Sequence, residues 1–205
     1  MNYYFDFDNT LYETAKLTDR MLSAVAYTIS NSKNLEYNDV LENIKSHFNS
    51  TVDNIFSFAE KMANNYEVDP KVTVNSVNEV INNAEDIVFP DAKRFIEKKR
   101  ENGDRLVIFT YIAEGNQQYQ LQKIMGSGLA NYFDQIIITS KYKFELDFNY
   151  KDGIFIDDDP RDLNGLYGRN SSKVIRIRKE NNWRSKIDMD NKDIEEFESF
   201  DDIKD

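Results

Sequence analysis

The spacing of apolar residues changes period along this 205-residue chain, and the order of the changes leaves few folds open. Five short runs, residues 3–7, 105–110, 135–139, 153–157 and 173–177, are rich in aromatic and β-branched side chains and have the length of buried strands. After Pro90 they alternate with helical stretches, 91–102 stopped by Gly103 and 117–125 stopped by Gly126. Strands alternating with helices predict a parallel sheet covered on both faces, because a crossover helix returns the chain to the start of the next parallel strand. Between the first strand and the rest lies a block of helical period: Leu17, Met21 and Val25; Val40, Ile44 and Phe48; Val52, Ile55, Ala59 and Met62; Val77, Ile81 and Ala84. Asp39 with Glu42 has the spacing of a capping box, and Asp69-Pro70 that of an N-cap followed by Pro at the first helical position. The expected fold class is α/β: a Rossmann-like core of five parallel strands from residues 1–11 and 88–205, interrupted by an inserted α-helical domain over 12–87.

Composition removes several chemistries. With no Cys and a single His, His47, the chain has no disulfide framework, no Cys nucleophile and no multi-histidine metal site. A net charge of −11 argues against nucleic-acid partners and anionic membranes, whose phosphates it repels. No run approaches the roughly 18 apolar residues of a membrane span, and the opening MNYYFDFDNT lacks the basic region of a signal peptide, so the cytoplasm is the expected location.

In open α/β sheets ligands bind beyond the carboxyl ends of the strands. Here those ends are acidic: Asp6 and Asp8 after the first run, and Asp157, Asp158, Asp159 and Asp162 after the fourth, with Thr110 closing the second. If the first strand persists through them, Asp6 and Asp8 point to the same side, whereas a turn at Asp8 redirects the second. Carboxylates gathered from two strand ends need a cation or protons to coexist. An all-oxygen donor set selects a hard ion, and a site that also takes phosphate suits Mg²⁺ better than Ca²⁺.

These residues resemble the haloacid dehalogenase-like (HAD) superfamily. Asp6-Phe7-Asp8-Asn9-Thr10 is similar to its first motif, DxDxT, with Asn9 where Gly is usual; the strand ending in Thr110 is similar to its second; and Gly153-Ile-Phe-Ile-Asp157-Asp158 is similar to its acidic fourth. The Lys of the third motif is matched to Lys143, with Lys141 as the alternative. The resemblance implies a Mg²⁺-dependent phosphatase acting on a small phosphorylated metabolite. Asp6 is then the nucleophile that forms an aspartyl-phosphate, Asp8 the general acid and base, and Thr110 and Lys143 the ligands of the transferring oxygens. Mg²⁺ is held by Asp6, the backbone carbonyl of Asp8, Asp157 and Asp158, with Asp162 behind them, and the helical insert becomes a cap that excludes water and chooses the substrate. Dehalogenases of the family lack the second Asp, so Asp8 favours phosphoryl transfer. A phosphomutase, or a non-catalytic protein that binds phosphate or metal on the same scaffold, are the alternatives; oligomeric state is left open. Counting Asp6, Asp8, Asp157 and Asp158 against one Mg²⁺ and one Lys leaves a negative charge, most simply relieved by a proton on Asp8. The basic stretch 173–186 reads as solvated surface, and Asp159 as the cap of a helix begun by Pro160.

Overall fold

The computed structural model describes residues 1–49, 54–147, 153–169, 173–180 and 182–204, which divide into two compact units. The first comprises Met1–Glu13 and Glu85–Asp205, the second Thr14–Ala84. Val52, expected on one of the helices of the second unit, lies outside the described residues.

In the first unit, β1 (Asn2–Phe5), β2 (Arg105–Tyr111), β3 (Gln135–Thr139), β4 (Gly153–Asp157), β5 (Lys173–Ile177) and β6 (Glu195–Phe197) form one sheet in the order β3-β2-β1-β4-β5-β6. Every pairing is parallel. The sixth strand corrects the expected five. It is short and acidic, and it joins the edge through Glu196, which accepts from Arg176 Nη1 at 2.9 Å, so it has no apolar run to announce it.

The aromatic first strand needs both faces of the sheet covered, and it has them. Tyr3 and Phe5 turn to one side and meet Phe95 edge-on at 5.9 and 6.2 Å. Phe95 belongs to α5 (Pro90–Glu101). Tyr4 turns to the other side, stacks on Phe155 at 4.6 Å and joins Phe109, Leu163 and Val174 in the core there. The expected strand over 3–7 stops early, at Phe5.

The second unit carries α1 (Thr14–Lys33), α2 (Tyr37–His47), α3 (Ile55–Asn65) and α4 (Pro70–Asn82), whose apolar stripes Leu17/Met21/Val25, Val40/Ile44, Phe58/Met62 and Val77/Ile81 are buried. Asp69 caps α4 by accepting from Lys71 N at 3.0 Å, with Pro70 next, as expected. The Asp39–Glu42 capping box does not form: α2 starts three residues earlier, after Glu36, and Asp39 sits inside its first turn beside the helix's positive end. No helix among the described residues is long and apolar enough to cross a membrane.

Candidate active site

The sheet order places β1 between β2 and β4, so the order reverses there and a crevice opens at the carboxyl ends. Phe5 is in register with Ile108 on one side and Ile156 on the other. Asp6 continues the strand by donating its N–H to Ile156 O at 2.9 Å, which brings it level with the end of β4. Asp6, Asp157 and Asp158 each offer an oxygen, all within 4.8 Å of one another, and all three residues are buried. Three buried carboxylates so close together offer the all-oxygen donor set that a hard divalent ion takes.

Asp8 does not join them. The chain turns immediately after Asp6, with Leu11 and Tyr12 N–H both donating to Phe7 O, and Asn9 adopts φ 61°. Asn tolerates that left-handed conformation better than other side chains with a Cβ, which is the physical basis for Asn at a position where the resembled motif has Gly. The turn aims the Asp8 carboxylate at α6 (Gln117–Gly126), where Lys123 Nζ donates to Oδ1 at 2.6 Å and Gln120 Nε2 to Oδ2 at 2.7 Å. The strand does not persist through Asp8, so the condition for a shared side is not met and the turn redirects the second carboxylate.

Lys143 lies in a short 3-10 turn after β3, with its side chain 3% exposed. Its Nζ donates to Asp6 Oδ1 at 2.7 Å and also to Asp157 Oδ2, and its N–H donates to Asp162 Oδ1 at 2.9 Å. Asp162 thus braces the lysine from behind. Lys141, the alternative, is exposed. Thr110 is fully buried and its hydroxyl oxygen accepts from Gln120 Nε2 at 3.1 Å. The site therefore has two groupings: Asp6, Asp157, Asp158 and Lys143 in one, Asp8 and Thr110 joined through Gln120 in the other. Asp159 caps α7 (Pro160–Leu166) by accepting from Arg161 N, as expected.

The sequence reading missed Lys123, Gln120, Asn182 and Arg184. The last two come from the basic stretch read as surface. Arg184 Nη1 lies 3.2 Å from Asp158 Oδ2, which also accepts from Asn182 Nδ2, and Thr10 Oγ1 reaches Asp158 Oδ1 at 3.4 Å. Arg176, on β5 and fully buried, holds that turn in place by donating to Arg184 O at 2.7 Å. Arg176 and Arg184 thus face inward, and Lys179 of the same stretch pairs with the buried Asp91. Lys123 and Arg184 are cations that the charge count lacked.

Burial pushes the Asp6 carboxyl well above the ordinary carboxylate range; the charges of Asp157 and Asp158 add to the rise and Lys143 opposes it. Burial also pushes Asp158 up to about 6 against the pull of Arg184, and Asp162 up to about 7 against that of Lys143. Burial alone disfavours the Lys143 ammonium, but Asp157 and Asp6 outweigh it and hold its pKa above the ordinary lysine value. The folded protein therefore keeps protons on Asp158 and Asp162 at a pH where the unfolded chain has lost them. Without metal, stability is expected to fall as pH rises from about 5 to 7, by on the order of 1–3 kcal/mol. A divalent ion on the acidic cluster needs Asp158 ionised, so MgCl₂ is expected to raise the melting temperature more at about pH 8 than at about pH 5.5. Melts in EDTA and in MgCl₂ across that interval check both signs; a Mg²⁺ effect that ignores pH removes the acidic cluster from the ion's ligands.

A family model described as haloacid dehalogenase-like hydrolase matches residues 3–165. A search of curated proteins gives no significant match. Among solved structures, the chain is similar to a HAD phosphatase from Thermococcus onnurineus, with 19% identity over 98% of this chain and 94% of that one and a TM-score of 0.59. It is similar to the HAD-hydrolase YfnB from Bacillus subtilis bound to magnesium, with 14% identity, coverage of 98% and 95% and a TM-score of 0.56. It is also similar to a 2-haloacid dehalogenase from Pseudomonas syringae, with 14% identity, coverage of 98% and 94% and a TM-score of 0.59. At such identities the likeness carries the fold and no finer property.

Proposed function

The chain belongs to the haloacid dehalogenase-like hydrolases, and from that premise we propose that it is a Mg²⁺-dependent phosphatase of small phosphomonoesters working through an aspartyl-phosphate on Asp6. The observation that carries the reading is the separation of two acidic groups with different surroundings. Asp6 sits with Asp157, Asp158 and a buried ammonium, whereas Asp8 has its own donors and an 18% exposed side chain. Phosphoryl transfer through a covalent intermediate needs such a division of labour, one carboxylate to bond phosphorus and another to carry the proton.

Asp6, Asp157 and Asp158 would hold the ion, with the Asp8 carbonyl as a further ligand. When bound, the ion supplies positive charge for the phosphoryl oxygens. The remaining work falls to the chain's own groups. An Asp6 oxygen bonds phosphorus as the ester P–O bond breaks, and Asp8 gives its proton to the departing alkoxide. Asp8 then takes a proton from the water that attacks phosphorus, which frees inorganic phosphate and restores Asp6. Lys143 fixes one oxygen of Asp6 and carries charge toward the transferring group, and the Thr110 hydroxyl donates to it. The same reading gives the helical unit the choice of substrate and makes a small phosphorylated metabolite the partner.

A screen of phosphomonoesters with MgCl₂, read as release of inorganic phosphate, tests this directly. Free phosphate separates a phosphatase from a phosphomutase, and a haloacid substrate in the same screen tests dehalogenation. Asp8→Asn is expected to keep KM within a few-fold while lowering kcat by about 10²–10⁴. Unchanged turnover in that variant takes the proton-carrying role away from Asp8.

A further inference from the structure

We infer that Lys123 and Gln120 are positioning residues that grip both oxygens of the Asp8 carboxylate and fix the orientation in which it carries the proton. This rests on the phosphatase reading above. Both side chains come from one face of α6, at positions three apart, and both are almost fully buried. Lys123 takes Oδ1 at 2.6 Å and Gln120 takes Oδ2 at 2.7 Å. A carboxylate held by a donor on each oxygen cannot rotate without breaking two hydrogen bonds, one of them charge-assisted.

Packing gives no reason for this choice of residues. On the same helix Leu121 and Met125 are exposed, at 42% and 59%, while Gln120 and Lys123 face inward. A helix selected only for burial presents the opposite faces. Burying an ammonium and a primary amide costs stability that an apolar residue of similar volume does not. Lys123 is walled by the Tyr119 and Phe7 rings, whose centroids lie 5.1 and 5.9 Å from Nζ, which favours the cation but adds no second negative charge. The Tyr119 hydroxyl stays neutral there, because burial and the nearby Asp8 charge raise its pKa.

Gln120 also links the two groupings of the site. The amide nitrogen faces Asp8 and the same nitrogen donates to Thr110 Oγ1 at 3.1 Å, while the amide oxygen is buried without a hydrogen-bond partner. With an oxygen lone pair so engaged, the Thr110 hydroxyl hydrogen points elsewhere and is available to an anionic oxygen. One side chain thereby orients both the proton carrier and a phosphate donor.

The experiment is a double-mutant cycle with p-nitrophenyl phosphate and glycerol 3-phosphate in MgCl₂, comparing wild type, Lys123→Met, Asp8→Asn and the double variant, each with its melting temperature. Lys123→Met is expected to lower kcat by about 10- to 100-fold with KM within about twofold, since it acts through Asp8 and touches no substrate. In the Asp8→Asn background the same substitution is expected to cost less than about twofold. Gln120→Leu, read the same way, covers the case in which Lys123→Met fails to melt cooperatively, and Lys123→Arg is expected to restore part of the loss. Additive losses, or a loss in KM alone, overturn the inference while leaving the phosphatase reading intact. A wild type inactive on every phosphomonoester overturns both.

Discussion

Asp6→Asn is expected to lower turnover by about 10⁴-fold or more while the protein stays folded. Asn is nearly the same size and can still accept from Lys143 Nζ, so the geometry at 2.7 Å is retained. What it loses is the nucleophilic oxygen. Its effect on stability has the unusual sign. A carboxyl whose folded pKa is raised by burial and by two neighbouring carboxylates costs stability when ionised, so removing its charge is expected to leave the metal-free melting temperature unchanged or higher. Phosphate release, isotope transfer from labelled substrate to protein, and a thermal melt on the same preparation give the combined signature. Turnover within tenfold of wild type would falsify the nucleophile, and a collapsed melt would make the loss of activity a folding defect.

Lys143→Met is expected to produce the opposite pattern, a large loss of both activity and stability. The ammonium is the buried partner of Asp6 and Asp157 and lies 3.8 Å from Asp162. Its removal leaves three buried carboxylates without that cation, a change worth about 3–5 kcal/mol, or about 10–15 °C for a chain of this length. The wild-type lysine, with its pKa raised in the fold, contributes its stability throughout the neutral range and loses it only at strongly alkaline pH. The carboxylates left behind relieve themselves by taking protons, so the deficit is expected to shrink as pH falls from about 8 to 5. Denaturant melts of both proteins at the two pH values measure it. A deficit below about 1 kcal/mol, or one constant across pH, means that the lysine is not the counter-charge of this cluster.

The parts of this fold that can be read from sequence are those whose residues answer to one demand. Residues 135–139, 153–157 and 173–177 are rich in β-branched and aromatic side chains that suit a covered sheet, and the strands fall on those bounds. Asp6 and Asp157 are legible because strand ends are where an open sheet gathers its chemistry, whereas Lys143, in a turn beyond β3, is reached only through the family resemblance. Residues that answer to two demands are not legible. Gln120 and Lys123 look like the solvated side of a helix, and only the pairing of β1 with β2 brings Asp8 over them. Arg184 looks like one more surface charge until the buried Arg176 folds its turn toward Asp158. The short edge strand escapes for a related reason, since charge pairing rather than apolar burial joins it to the sheet.

The central position of β1 has a consequence for how the protein comes into being. Asn2 pairs with Arg105 on one side and with Gly153 on the other, so on both sides the middle strand of the sheet waits for partners that lie far along the chain. Both edges of an aromatic segment stay open through that interval, a standing invitation to misassociation, while the intervening helices make contacts that are short in sequence and quick to close. Asp6 meets Asp157 only when β4 has joined the sheet. A chain that lacks β4 therefore carries Asp6 and the central strand without the charge cluster.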